Sequence, residues 1–445
     1  MAYLGRKGAS AALTSADIPD DSITSAKIPD NALDSEHYTD GSIDSAHIGD
    51  DQVTGAKIEN NPTIAGNLTV SGDLVPATPL SHRNIVINGA MKIAQRGTQE
   101  HPVDSTNYSA CDRFQVHNRT AGTCDTYSDT ESPDDKGFSN SLKVDITALS
   151  SGTTPSDNEA VIGTYFEGQD LQQIRKGTSE ALPLTLSFWV RSPKTGIHIV
   201  ELYDFDSSTQ RFVSAPYTIS TANTWQFVTH TFPADTASGK EFDNDNAKSL
   251  GIQWWLCAAG DFTSGTLDQT WRDEASNANR AVGQVNVFDN ASNNFYLTGV
   301  QLELGSSATP FEHRTFGDEL ARCQRYFQLL QGQGQNVQIG TAYWWNNAEL
   351  GAVIELAVPL RGTTTMTTPS GTNYYRWQAG SAYYSNDITG VSTGPTRSGN
   401  GDNTQIKTLF PYKVSVSGTW GQAGSFYVQG SSFSAGEYMA VSSEL

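Results

Sequence analysis

Two pairs of acidic residues are spaced closely enough to do chemistry. Asp204 and Asp206 stand in "DFD", and Asp243 and Asp245 stand in "DND". Paired carboxylates could bind calcium through hard oxygen ligands, or they could serve as a glycosidase pair. Both pairs lie in loop-like sequence without any further acid–base group. We therefore expect no catalytic residue, no cofactor and no metal site, with calcium at these loop acids left as an alternative.

Other chemical signatures are missing from the sequence. It contains no P-loop, GxSxG, HExxH or dinucleotide-binding motif. His198 and His230 lie within predicted strands, where a structural role is expected for both. The four cysteines are scattered and form no CxxC pair, which predicts buried thiols.

His37 and His47 lie ten residues apart in the same column of a repeat. In a three-chain assembly each would appear three times at one level and could form a metal-binding ring. The same column also contains Asp17, Lys27 and Lys57, which predicts that it faces water. We expect no metal at these histidines.

Two aromatic clusters point to ligand binding in the C-terminal part of the chain. Neighbouring aromatics on a strand cannot all enter one core, so some must face solvent or another subunit. Exposed aromatics beside Asn, Gln and Arg suit stacking on sugar rings, although subunit interfaces are enriched in the same residues. The predicted receptor-binding residues are Tyr343, Trp344, Trp345, Tyr374, Tyr375, Arg376, Trp377, Tyr383 and Tyr384.

A decapeptide repeat precedes the rest of the chain and carries two large apolar residues per unit. Such a unit cannot bury its own apolar side, so it needs neighbours or copies. The register predicts three chains wound about a common axis, and a solvated acidic linker is the alternative. The axis residues are predicted to be Leu13, Ile18, Ile23, Ile28, Leu33, Tyr38, Ile43, Ile48, Val53 and Ile58.

Charge limits the partners of the chain. The 445 residues carry a formal net charge of −20, which argues against nucleic acid, because binding phosphates needs clustered Lys and Arg. Residues 1–80 hold twelve acidic and four basic side chains, a net charge of −8, whereas residues 331–445 hold six and five, a net charge of −1. The start "MAYLGRKGAS" contains no apolar stretch, so no secretory signal is expected.

Strand patterns dominate the sequence after the repeat. "TLSFWVRS" alternates with Leu186, Phe188 and Val190 on one face, and "FYLTGVQLEL" is expected to place Tyr296, Val300, Leu302 and Leu304 on one face. "GDELARCQRYFQLL" has helical spacing that runs to Phe327 and Leu330.

These patterns predict a mainly β protein with an extended trimeric repeat stalk, a jelly-roll-like β-sandwich domain, a short linking helix and a C-terminal β tip domain. The boundaries are predicted as an attachment peptide at 1–12, the stalk at 13–82, the sandwich at 83–314, the helix at 315–330 and the receptor-binding tip at 331–445.

Several segments resemble phage tail-fibre and receptor-binding proteins. They are "RNIVINGAMKIAQRGT" (83–98), "CDRF" (111–114) and above all "FYLTGVQLELGSSATPFEHRTFGDELARCQRYF" (295–327), with "AVPLR" (357–361) and the final "SSEL" as weaker signs. The "TSAKI"-type decapeptides resemble fibre stalks. The resemblance implies a sandwich similar to carbohydrate-binding modules, followed by a distal tip.

The resemblance also implies a function. The expected protein is a non-enzymatic homotrimer of the virion, made in the host cytoplasm. It would be held by tail or adaptor proteins through its N-terminus and bind host cell-surface glycan through its C-terminus. A polysaccharide-depolymerising tailspike and a capsid-mounted fibre are the alternatives. A long β-helix of the tailspike class would need more repeat sequence than the decapeptides provide.

Overall fold

The computed structural model describes most of the chain beyond residue 80 and a few residues of the repeat. The described residues are 18–20, 22–29, 38 and 81–445, without 104, 121, 150–155, 274, 333, 335, 363–364, 370–373, 380–381, 386–387, 394–405, 418–419, 431–432 and 434–437. No helix within these residues is long and apolar enough to cross a membrane.

Few residues of the predicted stalk are described. Ser25–Lys27 forms a 3-10 helix, and Ile18, Ile23 and Tyr38 are 46%, 58% and 45% exposed in the single chain, while Ile28 is half-buried. The other predicted axis residues, and also His37 and His47, lie outside the described residues. The prediction of a trimer axis therefore stays a prediction.

Residues 99–304 form the two antiparallel sheets of a β-sandwich, as predicted. In spatial order, sheet I consists of β1 (Gln99–Val103), β4 (Thr123–Asp129), β5 (Ser141–Ala148), β12 (Asn294–Leu304), β7 (Leu184–Arg191) and β10 (Gln226–Phe232). Sheet II consists of β2 (Thr106–Tyr108), β3 (Gln115–Asn118), β6 (Glu159–Glu167), β11 (Lys248–Ala258), β8 (Gly196–Asp204) and β9 (Arg211–Ile219).

The sandwich core lies between the two sheets. Leu186, Phe188 and Val190 of β7 are fully buried in it, as the alternation predicts. Trp254 of β11 meets the Phe188 ring edge-on at 5.7 Å between centroids. Each such buried side chain contributes roughly 1.5–3 kcal/mol, so the period-two pattern fixes which face of each strand packs inward.

The prediction for β12 is wrong at Tyr296. A β-bulge between Thr298 and Gln301 shifts the register against β7, and Gly299 within it has φ +62°. The bulge moves the side chains after it to the opposite face. Phe295 and Leu297 therefore join Val300, Leu302 and Leu304 in the core, while Tyr296 lies on the outer face of sheet I, opposite Arg191.

The linking helix is shorter than predicted. Helix α2 spans Phe316–Gln324 and is capped by the Thr315 hydroxyl, which accepts from the Asp318 amide. The chain continues as strand β13 (Phe327–Gln331), which pairs with Met439–Ser442. Phe327 and Leu330 thus lie on a strand. Their helical spacing was misleading because a long-range strand partner overrode it.

The tip contains two more sheets and its own hydrophobic core. Among the described residues, sheet III consists of β13, β22 (Met439–Ser442) and β16 (Thr365–Thr367). Sheet IV consists, in spatial order, of β18 (Ala382–Ser385), β17 (Tyr375–Ala379), β21 (Ala423–Gln429), β14 (Asn336–Asn346), β15 (Glu349–Leu360), β20 (Ile406–Val414) and β19 (Gly390–Thr393).

Among the described residues, the remaining helices are short and lie in the sandwich loops. They are α1 (Gly260–Thr263) and the 3-10 helices Gly168–Asp170, Gln172–Ile174, Asn277–Asn279 and Val287–Asp289.

A buried carboxylate ties the last strand to the sandwich. The Glu444 side chain is 5% exposed and contacts both Arg113 and Arg96, the latter at 3.0 Å between Nη2 and Oε1. The two guanidinium groups also lie over the rings of Tyr326 and Phe327, at 3.5 and 3.8 Å from the centroids. Glu444 therefore fixes β22 and the C-terminal side of α2 against the sandwich.

We expect Glu444→Ala to destabilise the tip by about 3–5 kcal/mol, because it leaves the buried Arg113 guanidinium without a carboxylate, whereas Arg96 keeps Asp112 at 3.6 Å. The measurement is urea unfolding followed by tryptophan fluorescence. Glu355→Ala is the control, since Glu355 is exposed on β15. Equal midpoints for the two variants would show that Glu444 does not stabilise this contact.

Candidate functional site

Three of the predicted receptor-binding aromatics belong to the tip core. Trp344 is 2% exposed, and Tyr375 and Trp377 are fully buried. Trp377 contacts Phe426 at 4.4 Å between ring centroids, and the Tyr375 hydroxyl donates to the Pro369 carbonyl at 3.0 Å. The prediction is corrected for these three residues, because every second position of β14 and β17 points into the core and is closed to a ligand.

Tyr343 and Trp345 lie on the outer face of sheet IV and form a surface that we call the tip platform. A Cβ on Gly351 would lie 3.1 Å from Tyr343 Cζ, so the tyrosine ring lies across the glycine of the neighbouring strand. The Trp345 ring is 6.0 Å away and 64% exposed. The Trp345 ring is therefore open to solvent beside Tyr343, and ligand binding at these two residues stays a prediction.

The other predicted tip residues have mixed positions. Tyr374 is half-buried, with its ring 5.6 Å from that of Phe433. Arg376 is exposed and lines a pocket of about 230 Å³ together with Gln378 and Tyr427. Tyr383 and Tyr384 lie on β18, and their side chains lie outside the described residues.

A second surface, which sequence reasoning missed, lies on the outer face of sheet II. It is a groove of about 350 Å³, which we call the sandwich groove. Its lining combines aromatic rings, amides and charged groups. The residues are Thr106, Gln115, His117, Glu159, Val161, Tyr165, Tyr203, Phe205, Lys248, Gln253 and Arg280.

Two glycines keep the floor of the groove low. A Cβ on Gly163 would lie 2.5 Å from the Tyr165 hydroxyl oxygen, and one on Gly251 would lie 2.8 Å from Tyr165 Cδ1. Tyr165 therefore lies flat across both positions. The Phe205 ring meets it edge-on at 5.6 Å, and the Tyr203 ring lies 4.8 Å from that of Phe205. Tyr203 and Phe205 are half-buried and partly open to solvent, so they can contact a ligand.

A buried ion pair forms one wall of the groove. Glu201 is fully buried and accepts two hydrogen bonds from Arg280, that from Nε at 3.1 Å. Burial alone would lower the pKa of Arg280, but Glu201 raises it above its ordinary value. The guanidinium also donates to Gln253 Oε1 at 2.8 Å. It lies 4.8 and 5.0 Å from the rings of Tyr203 and Trp255, so it is rigidly held.

The opposite end of the groove carries a second carboxylate with its own partners. Glu159 Oε1 lies 3.2 Å from His117 Nε2 and 3.4 Å from Arg119 Nη1. Burial would raise the pKa of Glu159, but the hydrogen bond to His117 and the charges of Arg280 and Arg119 lower it. Glu159 therefore stays ionised and can accept from a ligand hydroxyl.

Lys248 completes the groove. Its ammonium lies 4.5 Å from the Tyr165 centroid and 4.1 Å from that of Phe205. Within the described part of the chain, no carboxylate forms an ion pair with Lys248. Its half-burial lowers its pKa, since water solvates the charge less well there.

The acid pairs from the sequence hold loops together. Asp204 is 2% exposed, and it accepts from Lys176 Nζ at 2.7 Å and from the Asp206 amide at 2.9 Å. Asp206 accepts from the Asp243 amide at 2.9 Å, and Asp245 accepts from the Ala247 amide at 2.8 Å. Among the described residues, no group of three His, Cys, Asp or Glu residues is placed to hold a metal ion.

His198 and the cysteines are structural, as predicted. His198 is fully buried; its Nε2 donates to the Lys194 carbonyl at 3.0 Å, and burial lowers its pKa to about 4. All four cysteines are free and buried. Burial also lowers the pKa of His230, which lies against Phe232 at 4.7 Å.

A weak signal for the groove does exist in the sequence. In "EAVIGTYFE" the alternate positions carry Glu159, Val161, Gly163 and Tyr165, which form the outer face of β6. All nine residues of β6 are nevertheless buried. The reason is that residues 259–285 cover part of this face, where Phe262 and Ala281 pack against Trp255 of β11. Only the fold shows that a groove remains beside this cover.

We expect Arg280→Met to lower the free energy of unfolding by about 3–5 kcal/mol, because Glu201 would be left buried without a cation. The check is chemical denaturation together with the rate of proteolytic cleavage within residues 259–285. Arg322→Met is the control, because Arg322 pairs with Asp318 at the surface, where the two side chains are 34% and 48% exposed. Adding Glu201→Gln to Arg280→Met should recover part of the lost free energy of unfolding. Unchanged stability in Arg280→Met would contradict the stabilising role of the Glu201–Arg280 pair.

Comparisons with known proteins do not assign this chain to a family. No family model matches it, and no curated protein matches it. Among solved structures, it is similar to the enzymatically active domain of tailspike protein 4 of bacteriophage CBA120, with 13% identity over 50% of this chain and a TM-score of 0.26. The chain spans only 21% of that tailspike chain.

Two carbohydrate-binding modules are similar at the same level. A family 11 module from Clostridium thermocellum, in complex with a β-1,3-1,4-mixed-linked tetrasaccharide, has 9% identity over 45% of this chain and 91% of its own, with a TM-score of 0.23. TmCBM61, in complex with β-1,4-galactotriose, has 8% identity over 50% and 99%, with a TM-score of 0.25. These TM-scores are too low to support a conclusion about function, which must come from the site itself.

Proposed function

We propose that this chain is a non-enzymatic adhesin of the phage tail-fibre type, which binds glycan through the sandwich groove and makes a second contact through the tip platform. The observation that carries the proposal is the combination of two partly exposed rings, Tyr203 and Phe205, with fixed polar groups in one groove. Sugar binding needs ring faces for stacking and oriented donors and acceptors for hydroxyls.

The polar groups of the groove are already oriented before any ligand arrives. Gln253 is held by Arg280, and Glu159 is held by His117 and Arg119. A site whose side chains are fixed in advance loses less conformational entropy on binding. This supports a binding role, and the backbone hydrogen bonds that occupy Asp206 and Asp245 support a non-enzymatic one.

The proposed assembly is a homotrimer in the virion, attached to tail or adaptor proteins through its N-terminal part. The decapeptide register and the exposure of Ile18, Ile23 and Tyr38 in the single chain support it. Three copies would raise the avidity of individually weak sites. The resemblance of residues 295–327 to tail-fibre proteins supports the location.

We expect sedimentation equilibrium of the full chain to give three times the monomer mass of 48.0 kDa. Replacing Ile18 and Ile23 together by Asp should dissociate the assembly, since the two charges would have to be buried at the axis. Asp substitution of Thr24 and Ala26, which are exposed in the single chain, is the control. A stable monomer would contradict the proposed trimer.

We expect Phe205→Ala to weaken glycan binding by roughly two- to twelvefold, the range that corresponds to 0.5–1.5 kcal/mol for a ring contact. Trp345→Ala should give a separate loss, because the tip platform is the proposed second contact. The readout is binding to a glycan array and adsorption to host cells. Phe227→Ala is the control, because Phe227 is a half-exposed ring on sheet I. Unchanged binding in both test variants would overturn the proposed function.

A further inference from the structure

Lys248 differs from the other charged groups of the sandwich groove. Glu201 is neutralised by Arg280, and Glu159 is paired with His117 and Arg119. Lys248 has no such partner among the described residues, and its charge is held by two ring faces alone. As far as the described residues show, the groove therefore contains one half-buried positive charge without a counterion.

A half-buried cation attracts an anion more strongly than a solvated one. Its charge is less screened by salt than the surface charges that give the chain its net −20. Because Lys248 sits over Tyr165 and Phe205, an anionic group bound to it would come from a ligand already in contact with the Phe205 ring. The charge and the stacking surface thus act on the same sugar unit.

Resting on the function proposed above, we propose that the sandwich groove is selective for acidic glycans and that Lys248 Nζ binds the carboxylate of a uronic-acid-type sugar. One lysine matches a group of a single negative charge. A phosphomonoester would carry more charge than one cation balances, and Glu159 lies in the same groove. We therefore expect carboxylates rather than phosphomonoesters on the glycan, and the phosphodiester, which carries a single charge, is distinguished by the test below.

The test uses the full chain and titrates it with polygalacturonate, alginate and hyaluronan. Each polymer is paired with its carboxyl-reduced form, which has the same linkages but no charge. Poly(glycerol phosphate) is the arm that separates phosphate from carboxylate. Isothermal titration calorimetry gives the ratio of affinities for the acidic and reduced forms.

Three variants separate the effect of the Lys248 charge from that of its aliphatic side chain. Lys248→Met keeps an unbranched stem against the two rings and removes the charge, whereas Lys248→Arg keeps the charge. Lys136→Met is the matched control, because Lys136 Nζ also lies over a ring, that of Trp189 at 6.0 Å, on sheet I. We expect Lys248→Met to reduce the preference for the acidic form by roughly tenfold or more, the scale of one charge-assisted hydrogen bond.

Lys248→Arg and Lys136→Met should keep the preference, and Lys248→Met should bind the reduced form as the unmodified chain does. Equal affinity of the unmodified chain for acidic and reduced polymers would overturn the inference and leave the proposed glycan binding in place. Tighter binding of poly(glycerol phosphate) would overturn the choice of carboxylate. Binding of neither form of any polymer would overturn the inference together with the proposed function.

Discussion

The groove on the sandwich depends on neutralising one buried carboxylate. Glu201 lies on β8, the fifth of the six strands of sheet II, on the face turned away from the core, and is fully buried. An ionised carboxylate in that position is unstable without a hydrogen-bonded cation. Arg280 is that cation, and it belongs to the segment that folds over the sheet. The Glu201–Arg280 pair therefore holds residues 259–285 over one part of the outer face of sheet II. The uncovered part is the sandwich groove.

The shape of the sandwich groove depends on two glycines, which have no side chains, as well as on the side chains that line it. Without Cβ atoms at Gly163 and Gly251, Tyr165 can lie on the sheet and leave space above it. On the tip, Gly351 allows Tyr343 to lie flat in the same way. Both surfaces thus place a tyrosine over a glycine on a neighbouring strand, and both turn an ordinary sheet face into a platform for a ring.

The sequence predicted the sandwich well because period-two alternation reports burial directly, as in Leu186, Phe188 and Val190. It failed where a local irregularity or a distant partner decides the outcome. The bulge at Gly299 moves Tyr296 to the other face, and the pairing of β13 with β22 converts the predicted end of the helix into a strand. Composition grouped Tyr343 and Trp345 with the buried Trp344 between them, because the faces of β14 are assigned only by its neighbouring strands. The groove was missed because Glu201, Lys248 and Arg280 lie far apart in the chain and meet only in the fold.

The most direct test of the account is a crystal structure of the full chain with an oligogalacturonate. We expect a sugar ring against Tyr203 and Phe205, with its carboxylate oxygen about 2.7–2.9 Å from Lys248 Nζ, the length of a charge-assisted hydrogen bond. Sugar bound elsewhere with the groove empty, or bound in the groove with its carboxylate turned to solvent, would contradict the account.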